Sequence, residues 1–447
     1  MTEDAHTDDG IDRRSMLQAA CGTAAAAALA GCSALVDGDD GDGAQNGGDI
    51  GTEPLNAGLL TFTRGAAGVL GVQAQRGAEL AVERINENGG IAGQREVQLD
   101  VVDEGSDPLD SYNQFIEEGK DVTFGPISSG THESIAPEVE QAEVVNVGTD
   151  GTVTTLYEET VPDPTYSFRF QNYDVMECVT MAREAVERIG AENINTVAGI
   201  NPGYSFGEDE MAVFTQAIKK LAGLTDDDIV YEGFPELGAS DMSTHITSIN
   251  DQQPDVTFTS LWGGDVTTFL RQANANDMFQ NTTVVGSILY SAGADLPAEP
   301  VRNGTLYSGS RNFYWDDPSV ANWPPGQELF DAASSQDGVT VPTAHYMSGY
   351  GAVTAWATAV EKAIDLVGGY PSQEQIARTL EGHGFFTPAG YHVMGQGHQG
   401  KSNAYAGEMV YDDELGAPRL EDVNVYSASE TAPPPGTTAS DWIDGWG

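Results

Sequence analysis

The sequence has 447 residues, more than a single hydrophobic core usually supports, so we expect at least two domains. It carries 69 acidic and 19 basic side chains, for a formal net charge of −50 at pH 7. A surface this acidic repels nucleic acid and anionic lipid headgroups, so we expect no nucleic-acid partner. In molar salt the Debye length falls to about 3 Å and the self-repulsion is largely screened, so the composition indicates a halophilic protein.

Residues 1–32 have the pattern of an export signal. Arg13 and Arg14 precede the alanine-rich run 18–31, which is too short to span a membrane. Paired arginines before such a run are typical of a twin-arginine signal, which directs export of a folded protein. The run ends in Leu-Ala-Gly before Cys32, which resembles a lipobox of the haloarchaeal lipoprotein type. We therefore expect a cell-surface protein, lipid-anchored through Cys32 to the outer face of the cytoplasmic membrane. The alternative is a chance cluster of small residues with a free thiol.

Residues 33–53 follow as an acidic, glycine-rich segment. The part written DGDDGDGAQNGGDIGTE has almost no apolar content and cannot form a packed core. Its aspartates do not have the spacing of an EF-hand calcium loop. The segment is predicted to be a flexible tether.

From residue 54 the chain alternates short apolar runs with amphipathic helical segments. Strands are predicted at 55–60 and 97–101, for example, with a helix at 73–88 between them. The same alternation starts again after Phe170. Because alternating strands and helices form parallel β-α-β units, the sequence predicts an α/β fold with two similar lobes. In such sheets, ligands bind beyond the carboxyl ends of the strands.

Four segments, taken together, resemble the type I periplasmic solute-binding proteins of ABC importers, in particular the leucine/isoleucine/valine-binding (branched-chain amino acid) group. The resemblance covers 55–426 and depends on the order and spacing of the segments. They are RGAELA at 76–81 running into INENGGIAG at 85–93, FGPISS at 124–129, FR at 168–169, and TPAG at 387–390 with the later Gly397-His398.

This resemblance implies two Rossmann-like lobes joined by three crossover segments near Gln171, Gly309 and Phe386. It also implies a monomer without enzymatic activity or cofactor, which closes its hinge over a small solute and delivers it to the permease subunits in the membrane. The solute expected first is a branched-chain or other amino acid. The implied boundaries are 54–171 plus 310–386 for lobe 1, 172–309 plus 387–426 for lobe 2, and 427–447 for a C-terminal tail.

The resemblance also assigns the ligand's carboxylate or carbonyl to loops that follow the lobe 1 strands. A serine-rich turn that opens a helix offers unpaired N–H groups and a favourable dipole to such a group. The alternative for the serines is that one of them only caps the helix, which we expect to begin at Thr131. The matching positions are Ser128, Ser129, Thr149, Asp150 and Gly151.

In lobe 2 the resemblance implies aromatic walls. The matching residues are Phe206, with Tyr204 as second choice, and Trp262, whose alternative role is as a core residue. Relatives that take amino acids place a glutamate for the ligand's ammonium, but the corresponding residues 285–289 include no carboxylate. A buried ammonium needs an anionic partner. Either Asp150 or Asp265 therefore replaces the glutamate, or the ligand is a short amide, a urea-like compound or a carboxylate without an amine.

A remote alternative comes from residues 203–207, GYSFG, which match the G-x-S-x-G turn of serine hydrolases with Ser205 as nucleophile. Pro202 fixes the backbone next to this turn, and no HGGG-type oxyanion segment precedes it. We therefore expect no enzymatic activity. His383, His392 and His398 lack the spacing of metal ligands, so no metal site is predicted.

Overall fold

The computed structural model describes residues 49–105 and 107–446. Arg13 and Arg14 of the export signal, Cys32 and most of the tether lie outside the described residues. In the part of the chain that is described, none of the helices has the length and apolar character needed to cross a membrane.

The first lobe is built on a parallel five-stranded sheet with strand order β2-β1-β3-β4-β5. Strands β1, β3, β4 and β5 are buried because helices cover both faces of the sheet, whereas the edge strand β2 is mostly half-buried or exposed. In β1, for example, only one position is exposed. The elements are β1 (Leu55–Thr61), α1 (Gly68–Glu87), β2 (Val97–Asp103), α2 (Pro108–Glu117), β3 (Val122–Phe124), α3 (Ser129–Ala142), β4 (Asn146–Gly148) and β5 (Ser167–Arg169).

The second lobe has a mixed sheet with order β15-β14-β10-β9-β8-β6-β7. Strands β6 to β10 are parallel, and β14 and β15 add an antiparallel ribbon beside β10. Up to β10 its elements are α4 (Asp174–Ile189), β6 (Val197–Ile200), α5 (Ser205–Ala222), β7 (Ile229–Gly233), α6 (Ser243–Gln252), β8 (Val256–Thr259), α7 (Gly263–Ala275), β9 (Thr283–Gly286), α8 (Ala298–Asn303) and β10 (Leu306–Gly309).

After β10 the chain returns to the first lobe, where it forms helices and a small antiparallel sheet. It then enters the second lobe again for the ribbon and two short terminal helices. These elements are α9 (Pro318–Ala321), α10 (Pro324–Ser334), α11 (Ala344–Val367), α12 (Gln373–Leu380), β11 (Gly384–Thr387), β12 (Gly390–Met394), β13 (Gly400–Lys401), β14 (Ala404–Asp412), β15 (Ala417–Tyr426), α13 (Ala428–Thr431) and α14 (Ala439–Asp444).

The core of the first lobe depends on a close crossing of α1 and α11. A Cβ atom added at Gly77 would lie 1.9 Å from the carbonyl oxygen of Tyr346, and one added at Gly349 would lie 1.9 Å from that of Ala74. The glycines therefore let the two helix backbones approach more closely than any side chain would allow.

The chain passes between the sheets at 170–173, after β10, and at 402–403. The third passage comes later than the predicted position near Phe386. Phe385 and Met394 belong to the first-lobe core, so residues 387–401 lie with lobe 1 rather than lobe 2. The sequence is glycine-rich here, and its short strands carry no periodicity that shows which lobe they join.

Arg169, which is 1 % exposed, connects the first and third passages. Its Nη1 donates to the carbonyl oxygens of Gly151 at 2.6 Å and Val153 at 2.8 Å. Its Nε donates to Oε1 of Gln399 at 2.5 Å. One guanidinium therefore joins the end of β5 to two other segments, the loop at 151–153 and Gln399, close to the junction between the lobes.

Candidate functional site

A cavity with an empty volume of about 240 Å³ lies between the two lobes. Most of its wall comes from loops that follow strands of both sheets, which is where open α/β sheets place their ligands. The lining residues are Leu70, Ile127, Ser129, Asp150, Thr152, Tyr204, Phe206, Trp262, Ile288, Arg311 and His345.

One side of the cavity is apolar. Leu70 and Ile127 from the first lobe pack in a single cluster with Phe206, Trp262 and Ile288 from the second. The indole Nε1 of Trp262 donates to the hydroxyl of Tyr204 at 3.2 Å, which fixes the orientation of both rings. The Tyr204 and Phe206 rings are tilted at a centroid distance of 6.1 Å. This wall suits an aliphatic or aromatic group.

The opposite side is charged. Nη1 of Arg311 donates to both carboxylate oxygens of Asp150 at 2.7 Å, and Nε2 of His345 lies 2.8 Å from Oδ2 of the same carboxylate. Burial opposes ionisation of Asp150, but attraction to Arg311 and His345 brings its pKa below the ordinary value. Burial lowers the pKa of His345. At neutral pH the site therefore holds an ionised Asp150 beside a neutral imidazole.

Two hydroxyls complete the polar side. Thr152 Oγ1 is buried and has no hydrogen-bond partner within the described part of the chain. Ser129 Oγ accepts from the backbone N–H of Val153 at 3.3 Å, which leaves its own proton available. The site thus offers two hydroxyl donors and one anionic acceptor facing an apolar wall.

Of the residues singled out in the sequence, the structure brings together Ser129, Asp150, Tyr204, Phe206 and Trp262 around the cavity. Trp262 is also a buried member of the apolar cluster, so both roles considered for it apply.

Ser128, Thr149 and Gly151 lie outside the lining because their polar groups are used within the first lobe. The N–H of Ser128 donates to Glu104 Oε1 at 3.0 Å. The hydroxyl of Thr149 donates to the carbonyl of Pro126 at 3.1 Å, and the N–H of Gly151 donates to the carbonyl of Ile127 at 3.0 Å. These residues shape the loops and do not line this cavity.

Asp265 lies outside this lining, but it lines a neighbouring cleft together with Phe62 and Trp262. Its carboxylate accepts from the N–H of Gly238 at 2.9 Å and so holds a neighbouring loop of the second lobe. Of the two carboxylates considered as replacements for the relatives' glutamate, the structure places only Asp150 at the cavity.

The start of α3 differs from the expectation that a serine side chain caps a helix beginning at Thr131. The helix begins at Ser129, and the N-cap Ser128 makes no side-chain cap hydrogen bond. Instead, the buried carboxyl of Glu104 accepts from the N–H groups of Ile127 at 2.9 Å and Ser128 at 3.0 Å. Burial raises the pKa of Glu104 to about 7.

Six lining residues were missed from the sequence: Leu70, Ile127, Thr152, Ile288, Arg311 and His345. Thr152 and Arg311 carried a usable signal. Thr152 lies two positions after Asp150 in the same loop, and Arg311 is one of few basic residues and follows a strand directly. Leu70 and His345 lie near helix starts, where periodicity gives no indication of a site.

Ser205, the serine of GYSFG, does not have the partner that a hydrolase nucleophile needs. Its hydroxyl donates to Oε2 of Glu133 at 2.8 Å, a carboxylate on α3 of the opposite lobe. A carboxylate in this position joins the lobes, whereas an activated serine requires an imidazole or comparable base.

The fold and the cavity define a two-lobed protein that encloses a small ligand between its lobes. The family model described as periplasmic binding protein matches residues 54–414, and the chain belongs to this family. The predicted α/β fold with two lobes, that of type I periplasmic binding proteins, is confirmed. Members of the family and the solved neighbours are solute-binding proteins rather than enzymes.

Two curated relatives are similar over most of their length. The Leu/Ile/Val-binding protein BraC3 of Rhizobium johnstonii is 22% identical over 337 residues, covering 73% of this chain and 83% of that protein. The Leu/Ile/Val-binding protein homolog 1 of Brucella melitensis is 23% identical over 368 residues, covering 81% and 87%.

Two solved structures illustrate the shared fold. A solute-binding protein of an ABC transporter from Rhodopseudomonas palustris, in complex with 3,4-dihydroxybenzoic acid, has a TM-score of 0.72 at 17% identity and covers 86% of this chain and 99% of its own. The branched-chain amino acid transporter substrate-binding protein LivJ from Streptococcus pneumoniae, in complex with isoleucine, has a TM-score of 0.68 at 18% identity, with coverage of 83% and 99%.

Proposed function

We propose that the protein captures an amino acid with an apolar side chain between its lobes and delivers it, chemically unchanged, to an ABC importer permease. The observation that carries this proposal is the ionised Asp150 at the polar end of a small cavity with an apolar wall.

Each group of such a solute has a complementary partner. Asp150 is the anion that a buried ammonium needs. The hydroxyls of Ser129 and Thr152 are donors for the carboxylate, and the cluster around Phe206 and Trp262 surrounds the side chain. Both curated relatives are named Leu/Ile/Val-binding proteins, and LivJ holds isoleucine, which supports the same class of solute here.

A carboxylate without an amine is the second candidate. Arg311 lines the cavity, and a guanidinium is a strong partner for a carboxylate. The Rhodopseudomonas palustris neighbour was solved with 3,4-dihydroxybenzoic acid. The pairing of Arg311 with both oxygens of Asp150, and with Glu177 at 2.9 Å from its Nε, bears on both candidates alike, because a ligand that uses either charge must share it with the partner it already has.

Capture would proceed by closure of the lobes. Contacts across the cleft join Ser205 to Glu133 and the backbone N–H of Thr154 to Oδ2 of Asp209 at 2.8 Å. A solute that contacts both lobes favours the conformation in which these bonds form, and the permease then recognises the closed form. The twin-arginine signal and lipidation at Cys32 would place the protein at the outer face of the membrane, beside the permease.

A ligand screen by thermal shift and calorimetry in molar KCl tests the proposal. Isoleucine should raise the melting temperature. Its 2-hydroxy analogue lacks the ammonium and should bind more weakly by about tenfold or more. Isoleucine amide and benzoate test the alternatives.

Asp150→Asn should lose isoleucine binding, while Asp265→Asn, a matched change outside the lining, should retain it. Equal binding of isoleucine and its hydroxy analogue, or an unaffected Asp150→Asn variant, would contradict the assignment of Asp150.

The export signal and the lipid anchor are tested separately. Cys32→Ser should release the exported protein into the medium, and Arg13→Lys with Arg14→Lys should prevent export.

A further inference from the structure

A second cluster of acidic side chains lies inside the second lobe; its members do not line the cavity, although Glu177 lies 2.9 Å from the lining residue Arg311. Asp174 and Glu177 are one turn apart at the start of α4, and Glu210 projects from α5. One oxygen from each carboxylate lies within 4.8 Å of the others. Asp174 and Glu210 are 0 % exposed and Glu177 is 3 % exposed, so the three groups share a site closed to bulk solvent.

Among the described residues, the three carboxylates share a single adjacent cation, Arg311, which is also paired with Asp150. Within the described residues, none of their six oxygens makes a hydrogen bond. Arg311 Nε lies 2.9 Å from Glu177 Oε1 but is not aligned as a donor, and its Nη1 is committed to Asp150. Buried polar groups in folded proteins are nearly always satisfied, so this concentration of unpaired oxygens calls for a missing positive partner.

A buried hydroxyl from a different element lies next to one member of the cluster. Ser287, just after β9, is 1 % exposed, and its hydroxyl also has no hydrogen-bond partner in the described part of the chain. It lies close enough to Glu210 to affect that carboxyl. The three carboxylates from α4 and α5 therefore have a buried hydroxyl beside their Glu210 side.

The surrounding charges do not supply the missing partner. Arg169 acts on Glu177 only at longer range, since its guanidinium is hydrogen-bonded to carbonyls and to Gln399. Asp209 adds a further negative charge beside Asp174. The region is thus more acidic than its arginines can balance.

We propose that Asp174, Glu177 and Glu210, with the Ser287 hydroxyl, bind a hard divalent cation of the Ca²⁺ type. An all-oxygen, carboxylate-rich donor set selects Ca²⁺ or Mg²⁺ over metals that prefer nitrogen or sulfur. Ligand oxygens on opposite sides of a Ca²⁺ ion are about 5 Å apart, so the observed separation is compatible with one shared ion. The ion would tie the start of α4 to α5.

The test uses the full chain, freed of metal by a chelator and kept in molar KCl, which suppresses nonspecific binding to the acidic surface. Calorimetry and thermal unfolding with Ca²⁺ should show one ion bound per chain and a higher melting temperature, with a weaker response to Mg²⁺. Neither readout requires a solute, so failure here is separable from failure of the proposed function.

Glu210→Gln should abolish the response to Ca²⁺, whereas Glu208→Gln, an exposed change on the same helix, should leave it intact. The metal-free Glu210→Gln protein should be at least as stable as metal-free wild type, because it buries one charge less. If it does not fold, Asp174→Asn gives the same comparison. The proposal is overturned if wild type does not respond to millimolar Ca²⁺, or if Glu210→Gln and Glu208→Gln respond equally. In either case the three carboxyl groups would be neutralised by bound protons instead of a metal ion.

Discussion

Arg311 and Asp150 form a buried ion pair across the two lobes, with Nη1 of Arg311 donating to both carboxylate oxygens at 2.7 Å. Asp150 follows β4 of the first lobe, and Arg311 follows β10 of the second. The two residues are 4 % and 3 % exposed. Each charge is therefore compensated mainly by the other, and neither has ready access to water.

Removing one member of this pair should cost more than removing a surface pair. Arg311→Met leaves Asp150 and Glu177 buried without their cation, and we expect unfolding in urea and molar KCl to show a loss of about 3–5 kcal/mol. Arg302→Met, which breaks the exposed pair with Asp413, should cost no more than about 1 kcal/mol. A double variant that also carries Asp150→Asn should recover part of the loss. Similar losses for Arg311→Met and Arg302→Met would refute this account.

Ser205→Ala should weaken solute binding without any effect on ester hydrolysis. The hydroxyl donates to Glu133 across the cleft, so its removal destabilises the closed form, and we expect about a tenfold lower affinity by calorimetry. Ser248→Ala is the control, since that hydroxyl donates to the Thr244 carbonyl within α6. Ester hydrolysis that depends on Ser205 would instead revive the hydrolase interpretation.

Glu104 should make stability depend on pH in a defined window. Burial raises its pKa to about 7 in the folded state from an ordinary value of 4.5. Below pH 4.5 the group is protonated in both states. Between pH 4.5 and 7 the unfolded chain releases the proton first, so this group's contribution to stability falls by about 3 kcal/mol as pH rises. As pH rises through this window, the stability of wild type should fall relative to that of Glu104→Gln. A difference in unfolding free energy that stays constant with pH would count against the raised pKa of Glu104.

Gly349→Ala should destabilise the first lobe. The new Cβ would lie 1.9 Å from the carbonyl oxygen of Ala74, so α1 and α11 must separate, at an expected cost of about 1–3 kcal/mol in thermal or urea unfolding. Gly130→Ala is the matched change. A Cβ there meets only the Ser128 hydroxyl, at 3.9 Å, and the variant should be neutral or slightly stabilised. Equal stability of the two variants would contradict the close helix crossing.

The two-lobed architecture could be predicted because parallel β-α-β units leave a regular trace in the sequence. The residues after strand ends could also be placed, which is why Asp150 and Phe206 were found. Leu70 and His345 could not, since both lie near helix starts and meet the cavity only through packing between segments that are distant in the sequence. Their role depends on tertiary approach, which no local pattern encodes.

Two other differences have the same origin. The N–H groups at the start of α3 donate to Glu104, which follows a different strand. The local serine motif therefore predicted the wrong acceptor for these N–H groups. The third passage was placed too early because β11 to β13 are short antiparallel strands whose partners lie within their own small sheet. Both outcomes depended on contacts between segments that are distant in the sequence.

Arg169 sets a limit on how the lobes can move. Because one guanidinium holds Gly151, Val153 and Gln399 together, the first and third passages cannot slide past each other without breaking several buried hydrogen bonds. A rotation that bends both passages together leaves these bonds intact. An opening of the cleft that keeps these bonds must therefore bend the chain beyond Arg169 and Gln399, while the first-lobe ends of both passages stay in register.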